Sequence, residues 1–241
     1  VTVIICFEHD VELIQLQAPP ETGRRLRALV GGLHDEPVNV RTRSAAVRIE
    51  IEPLGARRLL GLPAGELRGL VLDLRDLWGD SVDELAARLH DAPGWLARFA
   101  AIDRYLGGRL RETPLAAPEI AHAWRRLVDA GGRMRIADLA AEVGWSRRHL
   151  SSRFTASIGL SPKTAARVLR FEHASAALLQ GNGSLADVAI RTGYADQAHL
   201  SREWRALAGT TPTAWLLQER HDPPAQIDFP SLQDDTRRPR R

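Results

Sequence analysis

Apolar positions change their period along this chain, and the changes mark its elements. Residues 1–7 are a continuous apolar run that reads as a strand. Val47, Ile49 and Ile51 alternate with Arg48, Glu50 and Glu52, the period-two pattern of a half-buried strand. Pro19 with Pro20, Gly31 with Gly32, and Glu36 with Pro37 punctuate this part as turns. From about residue 55 the spacing becomes helical. Short pieces at 55–60 and 64–70 lead to a predicted helix over 81–90, where Ser81 is placed to cap and Glu84 follows at capping-box spacing. Further helices are predicted near 94–110 and 118–130, with a linker over 111–118 that carries two prolines. Gly131 and Gly132 punctuate the entry to the next unit, and residues 133–220 read as helical throughout. Residues 221–241, with four prolines and little apolar periodicity, are expected to form a disordered tail whose Arg237, Arg238, Arg240 and Arg241 face solvent.

The helical part contains a repeat. In the stretch 136–162, Ile136, Leu139, Ala140 and Val143 recur as one face of a short helix; in 185–212, Leu185, Val188, Ala189 and Thr192 do the same. Each helix runs into a glycine, Gly144 or Gly193, then an aromatic, Trp145 or Tyr194. A second helix follows, with Leu150 and Phe154 on its buried side in the first copy and Leu200 and Trp204 in the second. Both copies close on a glycine and a cap-plus-proline pair: Gly159 with Ser161 and Pro162, Gly209 with Thr211 and Pro212. The second copy holds one more residue at its turn, and Asp196 is placed to cap there as Ser146 does in the first.

Helix, glycine turn, helix is the layout of a helix-turn-helix, with small Ala140 and Ala189 permitting close approach. The second helix of each copy is then expected in a DNA major groove. It would expose Arg147, Arg148, His149, Ser151, Ser152 and Arg153 in one copy, and Gln197, His199, Ser201 and Arg202 in the other. Arginine can read guanine and glutamine adenine, each through two hydrogen bonds. Between the copies, residues 163–180 predict a helix with Val168, Phe171, Ser175, Leu178 and Leu179 on one face. Such a rod, about 27 Å long, could hold two reading helices near the ~34 Å spacing of successive major grooves.

Bulk properties alter this picture little. The chain has 241 residues and a formal charge of +3, with a pI near 9.7, compatible with nucleic acid but weak evidence for it. Lys163 is its only lysine. A lone cysteine, Cys6, can form neither an internal disulfide nor a cysteine zinc cluster and is expected to be a small buried hydrophobe. With no signal peptide and no apolar run long enough for a membrane, the expected location is cytoplasmic. The chain starts at Val1, inside a predicted strand and without Met, so it is expected to be a fragment whose first strands are missing.

Residues 133–217 resemble the DNA-binding domain of the AraC/XylS family of transcription regulators. The resemblance is carried by "LAAEVGWSRRHLSSRF" with "GLSP" and by "VAIRTGYADQAHLSREW" with "GTTP". It implies base contacts from Arg148, Ser151 and Ser152 in the first copy and from Gln197, Ala198, His199 and Arg202 in the second. Arg147, Lys163 and Arg205 would lie near phosphates. Arg148 stands where several members carry an aromatic, and Ser152 where they carry an arginine, so base preference does not carry over. Leu200 and Trp204 replace phenylalanines usual in the second motif. Upstream, "EPLGARRLLGLPAGELRG" and "LDLRDLWG" resemble the N-terminal domain of one AraC-type subgroup. The family implies double-stranded DNA as partner, RNA polymerase as a second partner, and a small-molecule effector for the N-terminal domain, with no cofactor and no membrane.

Other chemistry finds less support. His9 with Asp10 and His34 with Asp35 could serve a metal phosphohydrolase, but further ligands are lacking and both pairs fall in predicted turns. Asp73, Asp76, Asp80, Asp83 and Glu84 read as helix caps and solvated carboxylates rather than a cation site. No phosphate loop, nucleophile elbow or zinc-ligand spacing occurs, so no enzyme is expected. The expected fold is α+β: a partial β-rich N-terminal domain with helices over 1–112, a linker and entry helix over 113–132, and an all-α domain over 133–220. That last domain holds two helix-turn-helix motifs joined by a long linker helix, with the tail over 221–241. The alternative to DNA binding is a helical protein–protein adaptor.

Overall fold

The computed structural model describes residues 1–15, 25–34, 39–41, 45–112, 116–181 and 183–221. The expected turns at Pro19, Pro20, Asp35, Glu36 and Pro37, part of the expected linker, and the tail beyond residue 221 fall outside the described residues. The fold is α+β, as expected. Strands β1 (Thr2–Cys6), β2 (Val11–Gln15), β3 (Arg25–Leu26), β4 (Ala28–Gly31), β5 (Asn39–Arg41), β6 (Ala46–Glu50) and β7 (Val71–Asp73) form two antiparallel sheets, ordered β6-β1-β4-β7 and β3-β2-β5. In the larger sheet Val3 of β1 lies opposite Val30 of β4 on one side and Ile49 of β6 on the other.

The unbroken apolar run at the start of the chain now has a cause. One face of β1 sends Val3 and Ile5 into the main N-terminal core. Its other face joins Cys6 to Val11, Leu26, Leu29 and Val71 in a second cluster. A strand covered on both faces has no polar side to alternate with. At the sheet's edge, β6 keeps Val47 inside and Arg48 and Glu50 in solvent.

Short helices α1 (Ala56–Leu60), α2 (Arg75–Trp78), α3 (Ser81–Asp91) and α4 (Trp95–Arg109) cover the first face, with 3-10 turns at Pro53–Gly55 and Ala64–Leu67. The expected capping box on α3 does not form. Asp80 already has helical backbone angles, so Ser81 is the first helical residue and its oxygen is not placed as a cap. Its hydroxyl instead donates to the Trp78 carbonyl at 2.8 Å and shares a hydrogen bond with Tyr105 at 2.8 Å. Arg109 covers the Trp78 and Tyr105 rings and joins this contact from α4.

Seven helices follow: α5 (Pro118–Asp129), α6 (Ile136–Glu142), α7 (Arg147–Ile158), α8 (Pro162–Leu179), α9 (Leu185–Arg191), α10 (Gln197–Ala208) and α11 (Pro212–His221). They build two cores. Ile120, Leu127, Leu139, Leu150, Phe154 and Leu169 belong to the first; Leu178, Val188, Tyr194, Leu200 and Trp204 belong to the second. Helix α8 supplies both, Ala165, Ala166 and Leu169 near its start and Ala174 and Leu178 near its end. At about 100° per residue these two sets lie on opposite sides of the helix. The single apolar face expected for this helix is therefore corrected: Leu179 is 52% exposed, and Leu169, outside that face, is buried.

Glycines admit the closest approaches. Gly132 lies against α8 so tightly that a β-carbon there would collide with the Ala166 carbonyl oxygen. The N-terminal unit meets α7 in the same way, since a β-carbon on Gly65 would overlap the Ala156 carbonyl. Leu33 and Leu54 extend this seam by packing on the first C-terminal core.

Two predictions follow from these contacts. Gly132 has φ +71 and no room for a side chain, so Gly132→Ala is expected to destabilise by about 3 kcal/mol. Gly144 has φ +69 and nothing within 4 Å of an added β-carbon, so Gly144→Ala should cost only about 1 kcal/mol. Urea unfolding of both variants checks this, and equal losses would deny the close approach any weight. The second concerns the staple between α5 and α6, where Arg126 donates twice to Glu142 at 2.9 Å and His122 stands 3.1 Å away. These hydrogen bonds, Arg126 first, bring the Glu142 carboxyl down from 4.5 to about 2. A depressed carboxylate stabilises the fold above its unfolded value and loses that contribution as pH falls through about 2. NMR titration should place the Glu142 midpoint near 2 in the wild type and return it toward 4.5 in Arg126→Ala; an ordinary wild-type midpoint would contradict the staple.

Candidate nucleic-acid interface

The two copies of the repeat share the backbone and capping hydrogen bonds that shape their turns. Helix α6 ends at Gly144 with φ 69, and α9 at Gly193 with φ 87. The aromatic after each glycine turns its N–H back onto the preceding helix: Trp145 to the Ala140 carbonyl at 3.0 Å, Tyr194 to the Ala189 carbonyl at 2.9 Å. Ala140 and Ala189 are buried, as close helix crossing requires. Ser146 then caps α7 by accepting from the His149 N–H at 3.2 Å, and Asp196 caps α10 by accepting from the His199 N–H at 2.6 Å. Leu150 and Phe154, and their counterparts Leu200 and Trp204, are fully buried. Gly159 and Gly209 end the helices in the left-handed region. Ser161 and Thr211 cap the helices that follow.

One feature of the repeat escaped sequence reasoning. In each copy the turn aromatic makes a T-shaped contact with a histidine one turn into the next helix: ring centroids are 4.5 Å apart for Trp145 and His149 and 5.2 Å for Tyr194 and His199. The shared spacing could have revealed it, one residue longer in the second copy. There the extra residue brings an extra N–H, from Ala195, and His199 Nδ1 accepts it at 3.3 Å. That bond leaves the proton of a neutral ring on Nε2. Another missed device is the capping box of α9, where Ser184 and Asp187 bond reciprocally.

The outward faces carry most of the expected residues, with Ser201, like Ser151 and His199, only half exposed. On α7, Arg147, Arg148, His149, Ser152 and Arg153 are exposed and Ser151 is half-buried, with no acid anywhere on the helix. Arg148 and Ser152 stand one above the other, one turn apart. On α10, Gln197, Ala198, Arg202 and Arg205 are exposed, and His199 is half-buried. Ala198 and Arg202 repeat the Arg148–Ser152 stripe, so the arginine moves down one turn between copies. Arg153 departs from its neighbours, because it lines a cavity at the N-terminal seam with Arg57 and Arg58.

Between the two units runs a groove of about 630 Å³. Of the expected contact residues it brings together Arg147, Lys163 and His199, and it adds Arg135, Arg167 and Arg170. Its one acid is Glu203 of α10. Arg167 Nε donates to Glu203 at 2.8 Å, and Arg170 Nη2 stands 3.5 Å from its other oxygen. Arg170 Nη1 also donates to the Gly132 carbonyl at 2.8 Å, and its guanidinium lies 5.7 Å over the Tyr194 ring. Burial is the main cause that pushes the Tyr194 hydroxyl up to about 12, with Glu203 adding to it. None of this cluster was visible as a pattern, because its members meet only across the fold. His9 and Asp10 are exposed. Among the described residues no group of three or more His, Cys, Asp or Glu is placed to hold a metal, and no helix is long and apolar enough to cross a membrane.

Known proteins share these features. A family model described as a helix-turn-helix domain matches residues 139–218. An uncharacterized HTH-type transcriptional regulator of Staphylococcus aureus is 32% identical over 92 residues, 38% of this chain and 12% of that protein. A putative AraC-like transcription regulator of Streptomyces lividans is 30% identical over 123 residues, 51% of this chain and 36% of that protein. The chain thus spans only a fraction of the length of the curated relatives it matches. In fold, ToxT from Vibrio cholerae matches 90% of this chain and 89% of its own, at 14% identity and a TM-score of 0.51. With its duplicated turns and matched caps, the C-terminal part of this chain is similar to helix-turn-helix transcription regulators, an AraC-like one among them.

Proposed function

We propose that this chain is a sequence-specific DNA-binding transcription regulator that reads two major-groove segments, one with α7 and one with α10. The observation that carries the reading is the pair of capped helices with matching buried sides and arginine-bearing outer faces, attached to one 18-residue helix. In this reading residues 133–220, with α5 packed on them, are the DNA-binding unit and residues 1–112 the regulatory one. Arg148, Ser151 and Ser152 address bases in one groove, and Gln197, Ala198, His199 and Arg202 in the other. Arginine pairs with guanine, glutamine with adenine, and the Ala198 methyl suits a thymine methyl. His199 offers Nε2–H as a donor, since its Nδ1 is used within the turn. Arg147, Lys163 and Arg205 hold phosphates, which orient the protein without reading sequence. The N-terminal unit touches α7 directly, so a small effector bound there, or a contact with RNA polymerase, would act on the first reading helix.

Selection from random duplexes tests the reading, with two preferred blocks about one helical turn (~10 bp) apart as the expected outcome. Affinity should fall steeply with salt, at a slope of roughly 0.9 per phosphate contact; a protein–protein adaptor would show no such dependence. Arg148→Ala or Arg202→Ala should each cost about 1–3 kcal/mol on the selected site and relax preference at one base position. Lys163→Ala should weaken all sequences about equally and reduce the salt slope by about 1. Unchanged binding in both arginine variants would remove these contacts.

A further inference from the structure

We infer that Arg170, Glu203 and Arg167 are positioning residues that set the distance and twist between the two reading helices, so that selectivity for the spacer between the two blocks resides in this ion cluster. The inference rests on the DNA-binding reading above. It starts from the two-faced packing of α8. That helix is continuous, but each unit grips a different side of it, so the angle between α7 and α10 depends on how each unit is fixed around its axis. Arg170 engages both, by a hydrogen bond to one and an ion pair to the other. One nitrogen holds the Gly132 carbonyl, at the entry to the first unit, and another faces Glu203 on the second reading helix. Arg167, one turn earlier on α8, takes the other oxygen of the same carboxylate. The hydrogen bond fixes the plane of the Arg170 guanidinium, and its charge then holds the Glu203 carboxylate that Arg167 orients.

Three observations separate this cluster from ordinary packing. Glu203 is the only acid on α10, and its counterpart in the first copy is Arg153, so the helix-turn-helix fold itself does not require it. An acid on a helix offered to DNA opposes binding unless neutralised, and here two arginines neutralise it. The side chains of Arg170 and Glu203 are only 17% and 16% exposed. A pair so buried adds little stability over an apolar replacement, and its best-attested use is to fix register. The cluster is also not built for maximal stability: the Arg170 Nε, the Glu203 Oε2 and the Tyr194 hydroxyl are buried without a hydrogen-bond partner among the described residues.

The test uses the full chain and duplexes carrying the two selected blocks, with the spacer changed one base pair at a time. Each added base pair moves the second block by about 3.4 Å and about 35°. Wild type is expected to show one sharp optimum. Glu203→Gln keeps the shape but removes the charge, and should flatten the preference for the best spacer over its neighbours by between about 2-fold and 100-fold, the range for coupled networks. Base preference within each block should stay unchanged. Arg167→Gln, which leaves Arg170 in place, should flatten it less, and decides the matter if Glu203→Gln does not fold. Leu178→Ala weakens the second core without touching the cluster, and should lower binding to all spacers alike. A wild-type spacer profile in the folded charge variants, at whatever affinity, would overturn the inference, as would equal flattening by Leu178→Ala. A wild-type protein that selects no paired blocks would instead overturn the DNA-binding reading on which this one stands.

Discussion

The C-terminal half depends on a single helix serving two cores. Over 18 residues α8 gives one side to the core of α5, α6 and α7 and the opposite side to the core of α9 and α10. Neither unit can bury its apolar face without it, and the alanines at 165, 166 and 174 bring the neighbouring helices in close. The arrangement asks for small residues and few large ones, because bulky side chains on both sides would push the units apart. The glycine pair ahead of α6 meets the same demand from the other side. Gly131 runs close to His173, and Gly132 lies against the backbone of α8.

The two reading helices are alike inside and different outside. Their buried residues, turn glycines and caps coincide, because closing a helix pair over a short turn leaves few solutions. Their exposed residues differ in kind and order. Serine and arginine dominate one face, and glutamine, alanine and arginine the other. A duplicated scaffold with unlike surfaces suits a target whose two parts differ in sequence. Under the proposed function it would also let one chain address an asymmetric site, where a symmetric dimer would favour a palindrome.

Much of this was legible in the sequence, and the reason is locality. Gly144, Ser146, Ser161 and their counterparts act within four residues of themselves, so spacing alone announces them. The first strand and the helices near 94–110 and 118–130 likewise declare themselves through apolar runs and periods. What stayed hidden depends on distant partners. Ser81 looks like a cap, but the backbone before it is already helical, and its hydroxyl is drawn to Trp78 and Tyr105. The face of α8 could not be read as one stripe, because two cores use it. Of the groove, Arg147 and His199 stood out in the repeat and Lys163 was implied by the family resemblance, whereas Arg135, Arg167, Arg170 and Glu203 lie in stretches whose pattern is only that of a charged helix surface.

The seam at Gly65 has a further consequence. Most domain contacts are cushioned by side chains, which can swing or compress when one body shifts. Here a bare peptide unit of the N-terminal 3-10 turn rests on a bare peptide unit near the end of α7. No rotamer stands between them to absorb a displacement. A displacement of that turn toward the helix meets backbone rather than a side chain that could give way. The helix it meets is α7, which the proposed function assigns to one of the two grooves.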